Sequence, residues 1–135
     1  MRRGEAKDLE TIAAIQAASP EAAQWDPSDY LGYDLSVAVV EERVAGFLAS
    51  RTLVPGESEI LNVAVLPEYR RRGVGRTLLA TWLGSVQGTV FLEVRASNEA
   101  ARTFYRSLGF EDFLLRPQYY ALPPETGIVM KFHSC

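Results

Sequence analysis

Between Glu59 and Val94 the hydrophobic period changes twice, and this stretch constrains the fold more than any other. "EILNVAVL" has the alternation of a strand. "VGRTLLATWLGSV" then places Val74, Leu78, Trp82 and Val86 at four-residue steps, with Leu79 and Leu83 beside them, as an amphipathic helix does. "TVFLEV" is a short buried strand. A strand, a helix and a strand in this order imply a right-handed crossover that leaves the two strands parallel.

The flanking segments add antiparallel strands and further helices. "DLSVAVVEERVAGFLASRTLV" reads as two strands around a turn at Glu41 to Arg43, and "PGESE" as the next turn, so three strands form a meander. "AKDLETIAAIQAA" carries Leu9, Ile12, Ala13 and Ala17 at helical spacing, with Asp8 as the expected N-cap. Only "MRRGE" precedes it. "SPEAAQWDPSDYLG" is turn-rich and fits a short second helix or an irregular segment. "SNEAARTFYRSLGF" is a helix with Ala101, Phe104, Tyr105 and Leu108 on one stripe. "EDFLLRP" and "GIVMKF" are two final strands, joined by the long connection "QYYALPPET". The class is α+β, a single domain over residues 1–135 with a mixed, mostly antiparallel sheet and helices on both faces.

Several functions are disfavoured at once. The lone cysteine is Cys135 and the lone histidine is His133, both at the tail, so a disulfide framework, a Cys-rich metal site or a triad has no material; the expectation is no metal. The net charge of −3 argues against a general nucleic-acid binder. No apolar run approaches the ~20 residues of a membrane span, and "MRRGEAKDL" lacks the apolar region of a signal peptide. The expected setting is cytoplasmic, away from membranes.

Charge is nevertheless concentrated in one place. "YRRRGVGRTLL" stacks arginines where the central helix begins. A helix N-terminus already presents unpaired N–H groups and roughly +0.5 of a charge. More positive charge there is sensible if an anion occupies the turn. Gly73 and Gly75 allow close backbone approach, and Arg71, Arg72 and Arg76 would add charge-assisted bonds. Neither the Walker nor the Rossmann glycine pattern is satisfied. A plain turn with solvated arginines is the alternative reading of these residues.

Two linked phrases, "LNVAVLPEYRRRGVGRTLL" and "LEVRASNEAARTFYRSLGF", resemble the GNAT superfamily of N-acetyltransferases. The turn matches its Arg/Gln-x-x-Gly-x-Gly signature at Arg70, Gly73 and Gly75, and the second phrase with "RPQYY" is similar to the RimI type, the ribosomal-protein-alanine N-acetyltransferases. This resemblance implies a GNAT-like fold in which a splayed parallel strand pair binds acetyl-CoA. Main-chain groups of Val63, Ala64 and Val65 would hold the thioester and pantetheine arm. Arg70, Arg71, Arg72, Gly73, Val74, Gly75 and Arg76 would form the diphosphate turn, and Asn98 would contact the cosubstrate. Glu93 matches the general base and Tyr105 the general acid. The implied acceptor is the N-terminal peptide of a protein of the ribosomal kind, bound by a monomer or weak dimer. Trp25, Tyr119 and Tyr120 are the expected acceptor-side residues. "ETG" stands where the RimI type usually has an acidic residue and an alanine.

The residues themselves are compatible with these roles and with plainer ones. Glu93 interrupts an apolar strand, where a carboxylate is costly unless paired or hydrated; desolvation would tune it as a base, and a structural pair with Arg95 or Arg102 is the alternative. Tyr105 falls on the buried stripe, as an acid or as a core aromatic. Asn98 and Ser97 compete as helix cap. At the level of function, a lysine or small-amine acetyltransferase and a non-catalytic acetyl-CoA-binding module remain the alternatives.

Overall fold

The computed structural model describes residues 1–20, 24–121 and 124–134, without the side chains of 118–121, 124 and 134. The expected domain comprises two compact units, Met1–Arg51 with Ile60–Ser85, and Thr52–Glu59 with Val86–Cys135.

The first unit holds strands β1 (Arg2–Arg3) and β2 (Asp34–Val40), most of β3 (Arg43–Val54) and β4 (Glu57–Val65), and helices α1 (Leu9–Ala17) and α2 (Val74–Ser85). Its strand order is β1-β2-β3-β4. Val40 pairs with Arg43, so the β2–β3 turn is Glu41–Glu42. Both turn residues have positive φ, 53° and 65°, which matches the twist of a two-residue hairpin although neither is glycine. Ala45 to Ser50 are buried without interruption, so β3 is covered on both faces. One face, with Ala45, Phe47 and Ala49, packs on Ile12 and Ile15 of α1 and on Tyr30. Leu78, Leu79, Trp82 and Leu83 form the buried stripe of α2, which packs on β2.

Helix α1 departs from expectation in two ways. Asp8 makes no side-chain cap bond to it. Its carboxylate instead accepts Arg2 Nη1 at 2.9 Å, Arg2 Nη2 at 2.8 Å and the Glu5 amide at 2.8 Å. The Arg2 hydrogen bonds hold the Asp8 carboxyl below its usual value. The buried stripe is Ile12, Ile15 and Gln16, while Ala17 is exposed. Gln16 tolerates burial because its Nε2 donates to Trp25 O at 2.6 Å and its Oε1 accepts from Tyr30 Oη. Tyr30 Oη in turn accepts from Asn62 Nδ2 of β4 at 2.9 Å. The turn-rich segment holds a 3-10 helix over Pro27–Gly32, capped by Asp26.

The second unit contains the start of β4, then β5 (Gly88–Arg95), α3 (Glu99–Ser107), β6 (Glu111–Ala121) and β7 (Pro124–Ser134), in the order β4-β5-β7-β6. Glu57, Ser58 and Glu59 pair in parallel with Thr89, Val90 and Phe91, as the crossover requires. Directly opposed residues share a face. Val90, Leu92 and Val94 therefore lie with Phe132, Met130 and Ile128, and Phe91, Glu93 and Arg95 with Lys131, Val129 and Gly127. Helix α3 covers the first of these faces, through Tyr105 on Phe110 and Phe110 on Phe132.

The expected long final connection is a correction: β6 runs on to Ala121 and β7 begins at Pro124. Arg116 pairs with Gly127 and Tyr120 with Glu125, so β6 carries two extra residues over that interval. Pro117, which has no N–H for a ladder bond, falls in this bulge. His133 is exposed as expected, but within β7, opposite Thr89. Cys135 lies outside the described residues. No helix among them is long and apolar enough to cross a membrane, and they hold no cluster of metal ligands.

Candidate active site

In the first unit the arginine–glycine turn leads directly into α2. Arg71 and Gly73 have φ of 62° and 78°, and Gly73 O accepts the Thr77 amide at 2.9 Å, which makes Gly73 the start of the helix. The amides of Val74, Gly75 and Arg76 precede the first intrahelical donor and point outward from the helix end. No acidic residue stands in this first turn, in contrast to α1 and α3, which have Glu10 and Glu99. An added Cβ at Gly73 would meet nothing within 4 Å. Such a turn fits an anion with several acceptor oxygens, a diphosphate among them.

The arginines of the turn do different things. Arg72 lies 5.0 Å over the Tyr69 ring and 3.6 Å from Glu41, an exposed pair that an incoming anion can displace at little cost. Arg71 and Arg76 are exposed. Arg70 is a structural pin: Nε donates to Val65 O at 3.0 Å, and Nη2 donates to Ala18 O at 3.0 Å and Ser19 Oγ at 2.7 Å. Its guanidinium ties the end of β4 to the end of α1 and its amide donates to Pro67 O at 3.2 Å, so Arg70 shapes the turn rather than holding an anion. Val63, Ala64 and Val65 lie in β4; Ala64 is part of the core and Val65 packs against it.

Because Gly73 has a positive φ with open space around it, Gly73→Ala separates folding from binding. The backbone strain is expected to cost about 1–2 kcal/mol in urea unfolding. With the turn holding the diphosphate of coenzyme A, as the resemblance implies, affinity measured by calorimetry on the folded fraction is expected to fall about tenfold or more, since the methyl group occupies the approach to the helix amides.

In the second unit Glu93 projects from β5. Its side chain is 15% exposed, and Oε1 accepts Arg116 Nη1 at 3.0 Å. Oε2 is buried with no hydrogen-bond partner. Burial pushes this carboxyl above the usual carboxylate range; Arg116 opposes the rise and Glu59 adds to it. The partner is thus Arg116, whereas the sequence suggests Arg95 or Arg102. Those two are held elsewhere, Arg95 by Glu125 and Arg102 by Ala96 O and Asp112.

Tyr105 is 8% exposed, among Phe104 and Phe110. Burial alone pushes its hydroxyl above the ordinary tyrosine value, so it keeps its proton at neutral pH. Glu93 and Tyr105 serve opposite faces of β5. Asn98 is the N-cap of α3, its Oδ1 accepting the Ala101 amide at 3.2 Å. Ser97 donates its amide to Glu125 Oε2 at 2.6 Å instead. Glu125, with Thr126 O accepting the Ala96 amide at 3.0 Å, fastens the turn that carries Asn98.

Trp25 stacks on Tyr30, with ring centroids 5.8 Å apart, and packs against the core. The side chains of Tyr119 and Tyr120 lie outside the described residues. Sequence reasoning missed Arg116 and Glu125. Both stand in short phrases, "RPQYY" and "ETG", whose spacing gives no sign of partners that lie strands away.

Known proteins share sequence and fold with this chain. An uncharacterized protein of Mycobacterium leprae is 52% identical over 78 residues, which are 57% of this chain and 22% of that protein. The ribosomal protein bS18-alanine N-acetyltransferase of Salmonella typhimurium is 38% identical over 96 residues, 67% of this chain and 64% of that enzyme. The chain therefore spans less than two thirds of the length of these curated relatives. The crystal structure of the ribosomal-protein-S18-alanine N-acetyltransferase from Escherichia coli superposes with a TM-score of 0.81 at 30% identity, covering 98% of this chain and 91% of that one. Residues 6–110 match the family described as Acetyltransferase (GNAT) family. This chain belongs to that family.

Proposed function

We propose that the chain transfers the acetyl group of acetyl-CoA to the N-terminal α-amine of a protein. The observation that carries the transfer reading is Glu93, a carboxylate sunk in an apolar strand with one oxygen paired and the other buried without a partner. An open buried acceptor costs about 1–3 kcal/mol, a cost that a purely structural ion pair has no reason to bear.

The start of α2 fits the cosubstrate. The amides of Val74, Gly75 and Arg76, with Gly73 and the side chains of Arg71, Arg72 and Arg76, would hold its diphosphate, while Arg70 pins the turn in place. Main-chain groups of Val63, Ala64 and Val65 would bind the pantetheine arm, and Asn98 would contact the cosubstrate through its side-chain Nδ2, since its backbone amide donates to Arg95 O and its Oδ1 serves the cap. The bound acetyl thioester supplies an activated acyl group. Glu93 Oε2 accepts a proton from the attacking amine, directly or through a water. Tyr105 Oη gives its proton to the departing sulfur, which requires the thioester to lie at the edge of β5, where groups from both faces of the strand can reach it. A protein α-amine has a pKa of about 7.7–8.0 against about 10.4 for lysine, so a moderately basic carboxylate suffices for the former. Direct transfer needs no nucleophile from the protein and no metal.

For the acceptor, Trp25, Tyr119 and Tyr120 are proposed to flank an N-terminal peptide with a small first residue. The curated relative from Salmonella typhimurium acts on alanine of ribosomal protein bS18, and a cytoplasmic setting goes with an acceptor of that kind; the enzyme is further proposed to be monomeric or weakly dimeric and to act without nucleic acid.

The test compares an alanine-initiated peptide, the same peptide with its N-terminus blocked, and free polyamines, with mass readout of the modified nitrogen. Acetylation of the free α-amine alone is expected. Activity that survives the block would replace this reading with a lysine acetyltransferase, activity on polyamines with a small-amine enzyme, and coenzyme binding without any turnover with a binding module.

A further inference from the structure

We infer that Arg116 is a positioning residue for Glu93: it reaches across β7 over the side-chain gap at Gly127, fixes Oε1, and leaves Oε2 as the one open proton acceptor. The inference deepens the proposed function and rests on Glu93 being the base.

The sheet register carries it. Arg116 of β6 and Arg95 of β5 both lie opposite Gly127 of β7, on the face that also bears Glu93 and Val129. Two strand spacings separate β6 from β5, about 10 Å. Arg116 bridges that distance because residue 127 has no side chain on the shared face. From the same central position Arg95 turns to Glu125, and Arg116 turns to Glu93, with Nη1 3.0 Å from Oε1. The bulge at Pro117 begins immediately afterwards, so Arg116 is the last residue of β6 in regular register before Tyr120.

Other charges among the described residues stand near Glu93. Glu59 of β4 faces it from the far side and opposes its ionisation. On β7, Lys131 lies 4.4 Å over the Phe113 ring, and Glu111 of β6 stands opposite Lys131. Helix α3 packs on the other face of the sheet. Arg116 is the cation bonded to the carboxylate. It thus has two effects: its charge keeps Glu93 ionised against burial, and its fork stops the carboxylate from rotating, so the same oxygen always faces the incoming amine.

The test uses Arg116→Gln, Arg116→Lys, Glu93→Gln and the double variant Arg116→Gln with Glu93→Gln. Each is checked for cooperative unfolding and for coenzyme A binding by calorimetry. The first readout needs no activity: 13C-glutamate NMR titration of the coenzyme-free protein, with the Glu93 resonance assigned by its loss in Glu93→Gln. The Glu93 midpoint is expected at higher pH in Arg116→Gln, and nearer the parent value in Arg116→Lys. The second is the pH profile of kcat/KM with acetyl-CoA and an alanine-initiated peptide. Its acid limb is expected to move upward in Arg116→Gln, with kcat on the plateau down about tenfold or more. In the Glu93→Gln background the arginine change should add no further loss. Gly127→Val, which blocks the path while keeping the charge, should shift the midpoint in the same direction as Arg116→Gln.

An unmoved midpoint and acid limb in folded Arg116→Gln and Gly127→Val would overturn the inference. So would losses that multiply in the double variant, because Arg116 would then act on something other than Glu93. A Glu93→Gln enzyme that transfers at the parent rate would instead overturn the base assignment, while the NMR arm would still report whether Arg116 governs the carboxyl.

Discussion

Tyr105→Phe is expected to lower kcat about 100- to 10,000-fold while thermal stability and coenzyme affinity stay close to those of the parent protein. The residue is buried among Phe104 and Phe110, and burial is the sole cause that raises its hydroxyl above the ordinary value. A phenol shifted by desolvation alone is not being held by a charged partner or a strong acceptor. Removing its oxygen therefore leaves packing intact, and the loss appears in the chemical step. Glu93→Gln should cause a loss of similar size, again with coenzyme affinity preserved. The pH dependence separates the two residues. Glu93 must be ionised to act, so the rate falls as pH drops through a midpoint above the usual carboxylate range. Tyr105 must be protonated, and its raised value moves its own loss beyond about pH 10. An alkaline limb near neutrality would belong to another group. A Tyr105→Phe enzyme with unchanged kcat at saturating substrates would remove the phenol from the mechanism.

Local spacing reveals the parts of this molecule whose causes are local. The four-residue steps from Val74 to Trp82 specify α2, and the apolar run around Glu93 specifies β5, because each depends on neighbours within one or two turns or pleats. The stacked arginines at the start of α2 are legible for the same reason: charge, glycine and helix onset are contiguous. What escaped was set by register. Arg116 meets Glu93 across 23 residues, and Arg70 meets Ala18 across 52. Nothing in "RPQYY" says that a glycine on a third strand clears the way, and nothing in "YRRRG" says which arginine will turn back to pin α1. The hairpin length escaped as well, because a proline that ends most strands is absorbed here by a bulge on the edge strand β6. Asp8 shows the same limit within a few residues. It occupies a capping position, yet Arg2 and the Glu5 amide take its carboxylate before the helix can.

The largest stability effect is expected at Gly88, in the second unit, where the turn before β4 meets the start of β5. Gly88 has φ of 95°, and an added Cβ would collide with the carbonyl oxygen, carbonyl carbon and Cα of Gly56, itself at φ of 84°. The obstacle is backbone, which cannot swing aside as a side chain does. Gly56 O also accepts the Thr89 amide at 2.9 Å, so moving it breaks the bond next to the first parallel pair, Glu57 with Thr89. Overpacking of this kind costs about 1–3 kcal/mol and the positive φ a further ~1–2 kcal/mol. Gly88→Ala is therefore expected to lose about 2–5 kcal/mol in urea unfolding, a large share of the ~5–15 kcal/mol that holds an ordinary domain together. Gly84→Ala makes the same chemical change on the exposed side of α2, where an added Cβ meets nothing within 4 Å, and should gain about 0.5–1 kcal/mol. The comparison also bears on transfer. A one-residue slip of β5 would move every side chain to the opposite face, carrying Glu93 away from Arg116. A folded Gly88→Ala protein should thus lose the Glu93–Arg116 pair along with stability, visible as a displaced Glu93 resonance, whereas Gly84→Ala should keep it. Equal unfolding midpoints for Gly88→Ala and the parent would mean that the two turns do not interlock, and that something other than this contact sets the register of the strand bearing the base.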